Sequence, residues 1–458
     1  MRIPFGTNSY RSRSLPLSAQ RMVNSYLEPA PPLAKTFAAV IQSYGIAALS
    51  TVGTGPMRGG LVVNDVPYVV SGTKLYRLNS LGAGTELGDV PGSGYVDMAG
   101  DETNVMLVTG GRGYYWNGSS LQLVADPDLP VIDWVEVLDG YFIVGESDSG
   151  RFYVSANRNP ASWDALDFAT AEKYPDSNVG CVVNQGEAVI FGKESGEVFY
   201  DSGDSDFPLS RTPNGNFEIG LMAKFGAAKA DNGIYFIGHD GIVYWLSGYQ
   251  PVRKSTHAVE QWIEGCIDKN FYAMAWSEAG HKFFSLSSSD GTFVYDISAD
   301  LWHERLSFGD TRWKPLFVLR AFNLWLVGDY SSNKIGRLDP NSFTEWGEVL
   351  RSSCASPAVS EDNRRLNHAR LELVFESGVG LTSGQGSDPQ VMLRWSDDGG
   401  RSWSNEKWRG LGAIGDFRHR SCWHRLGQAR DRVYEYAITD PVRRTLILAT
   451  TEYQAMGY

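Results

Sequence analysis

The segment 396–403, Ser-Asp-Asp-Gly-Gly-Arg-Ser-Trp, carries the most specific local pattern in the chain. It fits the Asp-box pattern S-x-D-x-G-x-[ST]-W, with Ser396, Asp398, Gly400 and Trp403 at the defining positions. An aspartate at this place can accept backbone N–H bonds across a turn, the glycine can adopt a positive φ, and the tryptophan can pack beneath. The pattern therefore predicts a structural hairpin turn and implies no catalysis by itself.

A second cluster of reactive side chains lies in residues 418–425, where His419, Cys422 and His424 are close in sequence. Imidazole and thiolate groups bind zinc, but no second ligand pair accompanies them. On an extended strand Cys422 and His424 share one face, whereas His419 points to the other. The cluster predicts a strand with solvated histidines, and we expect neither a metal nor a cofactor.

The remaining sequence offers little catalytic chemistry. It contains no G-x-S-x-G elbow, P-loop or H-E-x-x-H motif. Its four cysteines are far apart and form no C-x-x-C pair, which excludes a zinc ribbon and a dithiol redox motif: Cys181, Cys266, Cys354 and Cys422. We expect free thiols in a protein that folds in a reducing cytoplasm, and no enzymatic activity.

The charge balance narrows the possible partners. The 458 residues include 41 Lys+Arg and 53 Asp+Glu, a net charge of −12. Residues 351–458 have a net charge of +2, so residues 1–350 carry −14. An acidic body argues against binding to nucleic acid by counterion release, and suits protein docking or a surface that repels DNA. No apolar run of 18 residues and no secretory leader is visible, so no membrane span is expected.

Residues 59–350 contain a repeat of a polar turn, an apolar strand, a glycine-bearing turn and an aromatic-rich strand. The first turns recur every 37 to 47 residues, at 64–65, 101–102, 139–140, 185–186, 232–233, 279–280 and 322–323. A four-stranded antiparallel unit of this length is typical of a β-propeller blade. The seven units predict an all-β fold with a six- or seven-bladed β-propeller at residues 56–350. A β-sandwich with irregular meanders is the alternative.

The regions that flank the repeat differ from it. Residues 1–55 contain Arg11, Arg13 and Arg21 followed by a proline cluster, and predict an extended N-terminal arm that lies across its own domain or a neighbouring subunit. Residues 351–458 predict a separate β-sandwich-like domain, with short strands separated by Gly, Asp and Pro turns. One helix is predicted around residues 257–267.

Three segments together resemble a known family. They are residues 15–28 (LPLSAQRMVNSYLE), residues 371–380 (LELVFESGVG) with the Asp-box segment, and residues 423–434 (WHRLGQARDRVY). This combination resembles the packaged-DNA stabilisation proteins of short-tailed phages, the family that supplies the tail hub or nozzle. The resemblance includes both ends of the chain, whereas the middle matches in architecture more than in sequence.

The resemblance implies a virion component without enzymatic activity. Members of that family form a hexameric ring below the portal and its head-to-tail adaptor, close the DNA exit channel after packaging, and carry the tail needle, fibres or spikes. Packaged double-stranded DNA would pass through the lumen without sequence-specific binding, and assembly would take place in the host cytoplasm. An acidic propeller that faces the lumen would let the DNA slide.

The arginines at the two ends of the chain are candidate assembly contacts with a neighbouring subunit or the adaptor: Arg11, Arg13, Arg21, Arg418, Arg420 and Arg425. The alternative function is a sialidase-like propeller glycosidase or a glycan-binding module. Such an enzyme needs an arginine cluster, a nucleophilic tyrosine and an acidic group in its propeller. Here the arginines concentrate after residue 350, and the single Asp box also lies outside the repeat, so the sequence favours the tail protein.

Overall fold

The computed structural model describes residues 1–171, 176–204 and 207–456. Within these ranges the chain is nearly all β, and its one α-helix, α1, spans His257–Gly265. The residues before the repeat form five strands: β1 Tyr10–Arg11, β2 Ala19–Val23, β3 Ser25–Pro29, β4 Ala38–Gln42 and β5 Gly45–Thr51.

Seven antiparallel sheets follow, and their first strands lie side by side in a closed ring. Blade 1 consists of β6 Met57–Val63, β7 Val66–Ser71, β8 Lys74–Leu78 and β9 Gly84–Asp89. Blade 2 consists of β10 Asp97–Gly100, β11 Val105–Thr109, β12 Arg112–Trp116 and β13 Leu121–Leu123. Blade 3 consists of β14 Ile132–Leu138, β15 Tyr141–Glu146, β16 Arg151–Ala156 and β17 Asn159–Thr170. Blade 4 consists of β18 Asn178–Asn184, β19 Glu187–Gly192, β20 Gly196–Asp201 and β21 Leu209–Phe217. Blade 5 consists of β22 Ala227–Ala230, β23 Gly233–Ile237, β24 Val243–Ser247 and β25 Gln250–Arg253.

The last two blades use residues from outside the repeat. Blade 6 consists of β26 Tyr272–Glu278, β27 His281–Ser288, β28 Gly291–Asp296 and β29 Leu301–Glu304, and blade 7 begins with β30 Pro315–Ala321, β31 Leu324–Asp329 and β32 Lys334–Asp339. Its fourth strand is β5, which pairs antiparallel with β32 from Gly45 opposite Asp339 to Thr51 opposite Lys334. The N-terminal segment thus closes the propeller, and the blade count is seven.

Turn chemistry explains why the repeat is visible in the sequence. In six blades the hairpin between the first two strands is a two-residue turn with both residues at positive φ, the type I′ geometry that matches strand twist. In blade 1 this turn is formed by Asn64 and Asp65. Asn, Asp and Gly are favoured at these positions because they adopt positive φ at a lower cost than other residues. In blade 7 the turn is Phe322 (φ 53°) and Asn323 (φ 59°), and a phenylalanine gives no turn signal.

The C-terminal residues form a β-sandwich. Two short strands, β33 Thr344–Glu345 and β34 Glu348–Val349, extend the blade 7 sheet beyond β5. The C-terminal strands of the sandwich are β35 Ser352–Ala355, β36 Leu366–Phe375, β37 Gln390–Ser396, β38 Lys407–Gly410, β39 Ser421–His424, β40 Gln428–Ala429, β41 Val433–Ile438 and β42 Leu446–Ala455. One face is the six-stranded sheet with order β3-β4-β42-β36-β39 and β40 beside β36. Buried side chains such as Leu371, Leu393 and Trp423 pack between this sheet and the second one. The predicted all-β fold, with a propeller and a C-terminal sandwich, is confirmed.

Strand β2 connects the two units. It pairs antiparallel with β35 of the sandwich, Arg21 opposite Ala355, and parallel with β29 of blade 6, Val23 opposite Glu304. The result is one continuous sheet with order β26-β27-β28-β29-β2-β35-β41-β37-β38. Strands of the first 51 residues therefore pair in both units, and the domain boundaries at residues 55 and 350 stay a prediction.

Asn24 holds the chain at the point where the two units meet. It is fully buried with φ 53°, and its side-chain nitrogen donates to the carbonyl oxygens of Leu306 and Arg351, each at 2.7 Å. Its side-chain oxygen accepts from the Leu306 N–H at 3.0 Å. One amide thus satisfies backbone groups from the end of blade 6 and from the segment that enters the sandwich.

Met22 provides a direct test that β2 is part of the core. Its side chain is 1% exposed in the sandwich core, so Met22→Ala should lower the free energy of unfolding by about 2–5 kcal/mol in urea denaturation. The control Leu17→Ala, at a side chain that is 75% exposed, should change it by less than about 0.5 kcal/mol. Equal effects of the two substitutions would show that β2 does not pack there in solution.

Asn24→Ala should destabilise the protein by about 1–3 kcal/mol more than Asn64→Ala, because it leaves buried backbone groups without partners. The control removes an exposed asparagine with nearly the same φ, 51°, so the backbone cost is shared. Thermal or urea unfolding of both variants gives the difference. A difference near zero would rule out the bridging role of the Asn24 amide.

Candidate assembly surfaces

Aromatic side chains close one mouth of the propeller channel. Tyr95 precedes the first strand of blade 2, Phe225 precedes that of blade 5, and Tyr272 begins that of blade 6. The rings of Tyr95 and Phe225 have centroids 3.9 Å apart, and Tyr95 and Tyr272 are 5.4 Å apart. Blades 2 and 5 stand on opposite sides of the seven-bladed ring, so this contact spans the channel. A mouth bridged in this way is too narrow for a DNA duplex, whose grooves alone are about 6–12 Å wide.

The channel behind this mouth contains charges of both signs. Asp97 accepts a hydrogen bond from the Val135 N–H of the next blade at 3.2 Å, and burial raises its pKa while Lys224 opposes the rise. Burial also raises the pKa of Glu136 to about 7, against the effect of Lys229. The sequence repeat did not identify these charged residues or the aromatic residues that close the mouth. The signal that could have found them is their position, because each lies in the first strand of a blade or just before it.

Arg21 is used inside the molecule. Its guanidinium binds both carboxylate oxygens of Glu304, with Nε at 3.0 Å from each and Nη2 at 2.5 Å from Oε2. Glu304 also accepts from the Ser9 hydroxyl at 3.0 Å. The carboxylate raises the pKa of Arg21, and the bidentate pair fixes β2 against blade 6.

Arg11 and Arg13 stand on the outside of the same region. Arg11 is exposed, and Arg13 pairs with Glu264 of α1 at 2.7 Å with both side chains more than 70% exposed. A pair so exposed contributes little stability, so Arg13 is available to another protein. The two residues border a groove of about 630 Å³ between the arm, α1 and blade 6, whose wall includes Trp262.

The other three candidate arginines lie at the far edge of the sandwich. Arg418 and Arg425 are exposed, and Arg420 is 3.4 Å from Glu372. This edge is formed by β38 and β39, and β38 is four strands from β2 in the shared sheet. At about 4.8 Å per strand the two arginine groups are on the order of 20 Å apart, so they form two surfaces. Their role in assembly stays a prediction.

The Asp-box segment forms a hydrogen-bonded turn. Asp398 accepts from the Ser396 hydroxyl at 2.6 Å and from the N–H groups of Arg401 and Ser402 at 3.0 and 2.9 Å. These bonds, led by that of Ser396, hold the pKa of Asp398 well below its usual range. Gly400 has φ 88°, and the Trp403 ring packs under the Arg394 guanidinium at 4.6 Å.

The N-terminal arm packs against this turn. A Cβ added at Gly399 would lie 2.9 Å from Cα of Pro16, and one at Gly400 would lie 3.0 Å from Cβ of Ala19. The glycines are required here by both positive φ and close approach. Two of the segments that carry the family resemblance, residues 15–28 and the Asp box, are therefore in contact.

His419, in the histidine and cysteine cluster, is hydrogen-bonded within the protein. His419 bonds the Gly410 carbonyl through Nε2 at 2.9 Å and Asp416 through Nδ1 at 3.0 Å. Across residues 1–171, 176–204 and 207–456, no group of three or more His, Cys, Asp or Glu residues could hold a metal ion. The four cysteines are unpaired. None of the helical residues described forms a helix long and apolar enough to cross a membrane.

Comparison with known proteins gives a family for the whole chain. The family model for the bacteriophage P22 Gp10 β-propeller matches residues 1–343, and that for the bacteriophage P22 Gp10 β-sandwich matches residues 351–454. A search of curated protein sequences gave no match.

Solved structures similar to the chain are remote in sequence. They include the computationally designed Ika8 protein (14% identity, TM-score 0.40, 70% of this chain and 100% of that chain). The extracellular domain of the one component system BT4673 from B. thetaiotaomicron gives 10% identity and TM-score 0.45, over 83% of this chain and 48% of that chain. The Myceliophteria thermophila Cps50 (Swd1) β-propeller domain gives 8% identity and TM-score 0.44, over 64% and 98%. Similarity at this level carries no information on function.

The two family models together cover nearly all of the chain, and their division into a propeller and a sandwich agrees with the observed fold. The resemblance first seen in three short segments is thereby confirmed. The chain belongs to the bacteriophage P22 Gp10 family of packaged-DNA stabilisation proteins, structural components of the phage tail and hence of the virion.

Proposed function

We propose that the protein assembles into a hexameric ring below the portal and head-to-tail adaptor of a short-tailed phage, and that this ring closes the DNA exit channel and retains the packaged genome. The observation that carries the proposal is the contact of Tyr95 with Phe225 across the propeller channel. Because a duplex cannot pass through one subunit, a path for DNA through this protein has to run between several copies.

The connection between propeller and sandwich supports a ring subunit of fixed shape. Strand β2 and the bidentate pair of Arg21 with Glu304 join the two units through a single sheet. A subunit that resists bending can keep a closed ring in register, because each copy has to present two different surfaces at a constant angle.

In this proposal the acidic surface faces the DNA, and the exposed arginines contact other proteins of the tail. The net charge of −14 on residues 1–350 repels DNA, so the duplex slides through the lumen without sequence-specific binding. Arg11 and Arg13 on the arm side, and Arg418, Arg420 and Arg425 on the sandwich edge, are candidate contacts to the adaptor, a neighbouring subunit, or the needle, fibres or spikes. Arg21 would act indirectly, by positioning the arm.

The proposed role includes no enzymatic step. A sialidase-like activity would need a cluster of arginines around a tyrosine nucleophile, whereas Tyr95 and Tyr272 face Phe225 at the closed mouth. Membership in a phage structural family also favours a non-enzymatic protein.

The mass of the purified protein in light scattering tests the ring. A particle near six times 50.5 kDa is expected, either alone or after addition of the adaptor protein. Lysozyme mixed at the same concentration in place of the adaptor controls for non-specific association.

A species of 50.5 kDa that stays monomeric with the adaptor would contradict the ring. Cleavage or tight binding of a sialoside by that monomer would then favour the glycan-directed alternative.

A further inference from the structure

The charges of this protein are concentrated at two separate places. Blades 3 and 4, residues 132–217, contain 15 Asp+Glu against five Lys+Arg, so their net charge of −10 is most of the −14 on residues 1–350. Residues 407–425 of the sandwich contain five Lys+Arg against one Asp, a net charge of +4. Opposite charges separated in this way orient molecules as they associate.

The outermost strand of blade 3 carries a bulge. From Trp163 to Phe168 strand β17 advances five residues while its partner β16 advances two, so residues 164–167 (Asp-Ala-Leu-Asp) bulge out of the ladder. Leu166 within the bulge is 81% exposed. Because β17 pairs with β16 alone, this bulge stands at the free outer edge of the blade.

Four aspartates surround the bulge. Asp164 and Asp167 belong to it, and the Trp163 N–H donates to Asp126 at 2.9 Å, which brings residues 126–128 (Asp-Pro-Asp) beside it. Burial raises the pKa of Asp167, and the nearby charge of Asp164 raises it further. We call this group of carboxylates the acidic rim: Asp126, Asp128, Asp164 and Asp167.

The opposite charge lies on strands β38 and β39 at the far end of the sandwich. Five exposed bases belong to these strands or flank β39, and we call them the basic edge: Lys407, Arg409, Arg418, Arg420 and Arg425. The one acid among residues 407–425 is Asp416, which is bonded to His419 at 3.0 Å. Trp408 of β38 is 52% exposed, so an apolar contact can accompany ion pairs at this edge.

Ion pairs within the subunit leave most of these charges uncompensated. Across the part of the chain that the structure describes, Arg420 is the one member of either group with an oppositely charged side-chain atom within 4.0 Å. Its partner Glu372 also pairs with Arg370. The other members of the acidic rim and the basic edge are therefore available to another molecule.

The two surfaces lie on opposite sides of the subunit. Blade 3 is three blades from blade 6 in one direction and three from blade 7 in the other, so it stands across the ring from both. Blade 6 is joined to the sandwich by β2, and the segment after blade 7 is joined to it by Arg444, which donates to the Phe343 and Leu350 carbonyls.

The shared sheet carries the basic edge away from the propeller. It continues from β29, the outermost strand of blade 6, through β2, β35, β41 and β37 to β38. The basic edge thus ends the sheet on the side that lies opposite the acidic rim.

We infer that the acidic rim of one copy docks on the basic edge of the next copy, and that this head-to-tail contact builds the ring. A second copy is the occupant because complementary charges stand on opposite sides of one chain, which gives the heterologous contact that a cyclic ring requires. The contact uses the outer edge of blade 3 and leaves the acids of the other blades to face the lumen. This inference rests on the proposed ring and names the contact that forms it.

Charge reversal in the full-length protein tests the contact. Arg418→Glu with Arg425→Glu reverses the basic edge, and Asp128→Lys with Asp164→Lys reverses the acidic rim. Because like charges would then meet, each double variant should show a fall of about tenfold or more in the ratio of ring to monomer in light scattering, under the conditions in which the wild type assembles. Unchanged far-ultraviolet circular dichroism shows that each variant is folded.

The matched control is Arg77→Glu with Arg112→Glu. It makes the same change of net charge as the reversal of the basic edge, at exposed residues of blades 1 and 2. This control should assemble like the wild type.

Mixing the two double variants gives an independent readout. The reversed edge of one variant attracts the reversed rim of the other, and the unaltered edge and rim attract as in the wild type. An equimolar mixture should therefore restore a particle near six times 50.5 kDa, in which the two variants alternate. A general defect in folding or solubility would not be rescued by mixing.

The outcomes separate this inference from the ring itself. Normal rings of both double variants, or a mixture that stays monomeric while the wild type assembles, would overturn the rim contact and leave the hexamer standing. Normal assembly of the Arg418→Glu and Arg425→Glu protein, together with weaker binding of a fluorescent DNA duplex, would assign the basic edge to DNA and also overturn it. Wild-type protein that never assembles, even with the adaptor, would overturn both the contact and the ring.

Discussion

Strand β2 pairs with a propeller strand on one side and with a sandwich strand on the other, and the geometry of the whole subunit follows from that pairing. Hydrogen bonds of a sheet fix register to one residue, because a slip would move every side chain to the opposite face. The sandwich is thus attached at the rim of blade 6 with a set orientation. Strand β5, from the same N-terminal segment, closes blade 7. The first 51 residues therefore complete both the propeller and the sandwich.

A buried ionic cluster reinforces this junction from inside the propeller. Arg305 is 1% exposed, stacks on Trp313 at 4.3 Å, and lies 3.6 Å from Glu278 and 3.7 Å from Glu345. Its guanidinium also donates to the Tyr44 carbonyl of the arm at 2.9 Å. Burying charges costs desolvation energy that their attraction only partly offsets, so such a cluster contributes more to a unique arrangement of blades 6 and 7 and the arm than to net stability.

Sequence patterns predicted the repeating part of the molecule and missed the parts formed by long-range contacts. The type I′ turns use residues such as Asn64 and Asp65 whose preference is local, so the seven units and the all-β class could be predicted. The pairing of β5 with β32 joins residues almost 300 positions apart, and no local signal reports it. The same reason hid the contact of Tyr95 with Phe225, which forms only when the ring of blades closes.

In the proposed function, this protein retains the packaged genome by closing the exit channel. Particles of the phage that encodes it, assembled without the protein and treated with nuclease after packaging, provide the most direct measurement. Most packaged DNA should become nuclease-sensitive in these particles, and addition of purified wild-type protein directly after packaging should restore protection. Particles that keep their DNA without the protein would contradict the proposed role in genome retention.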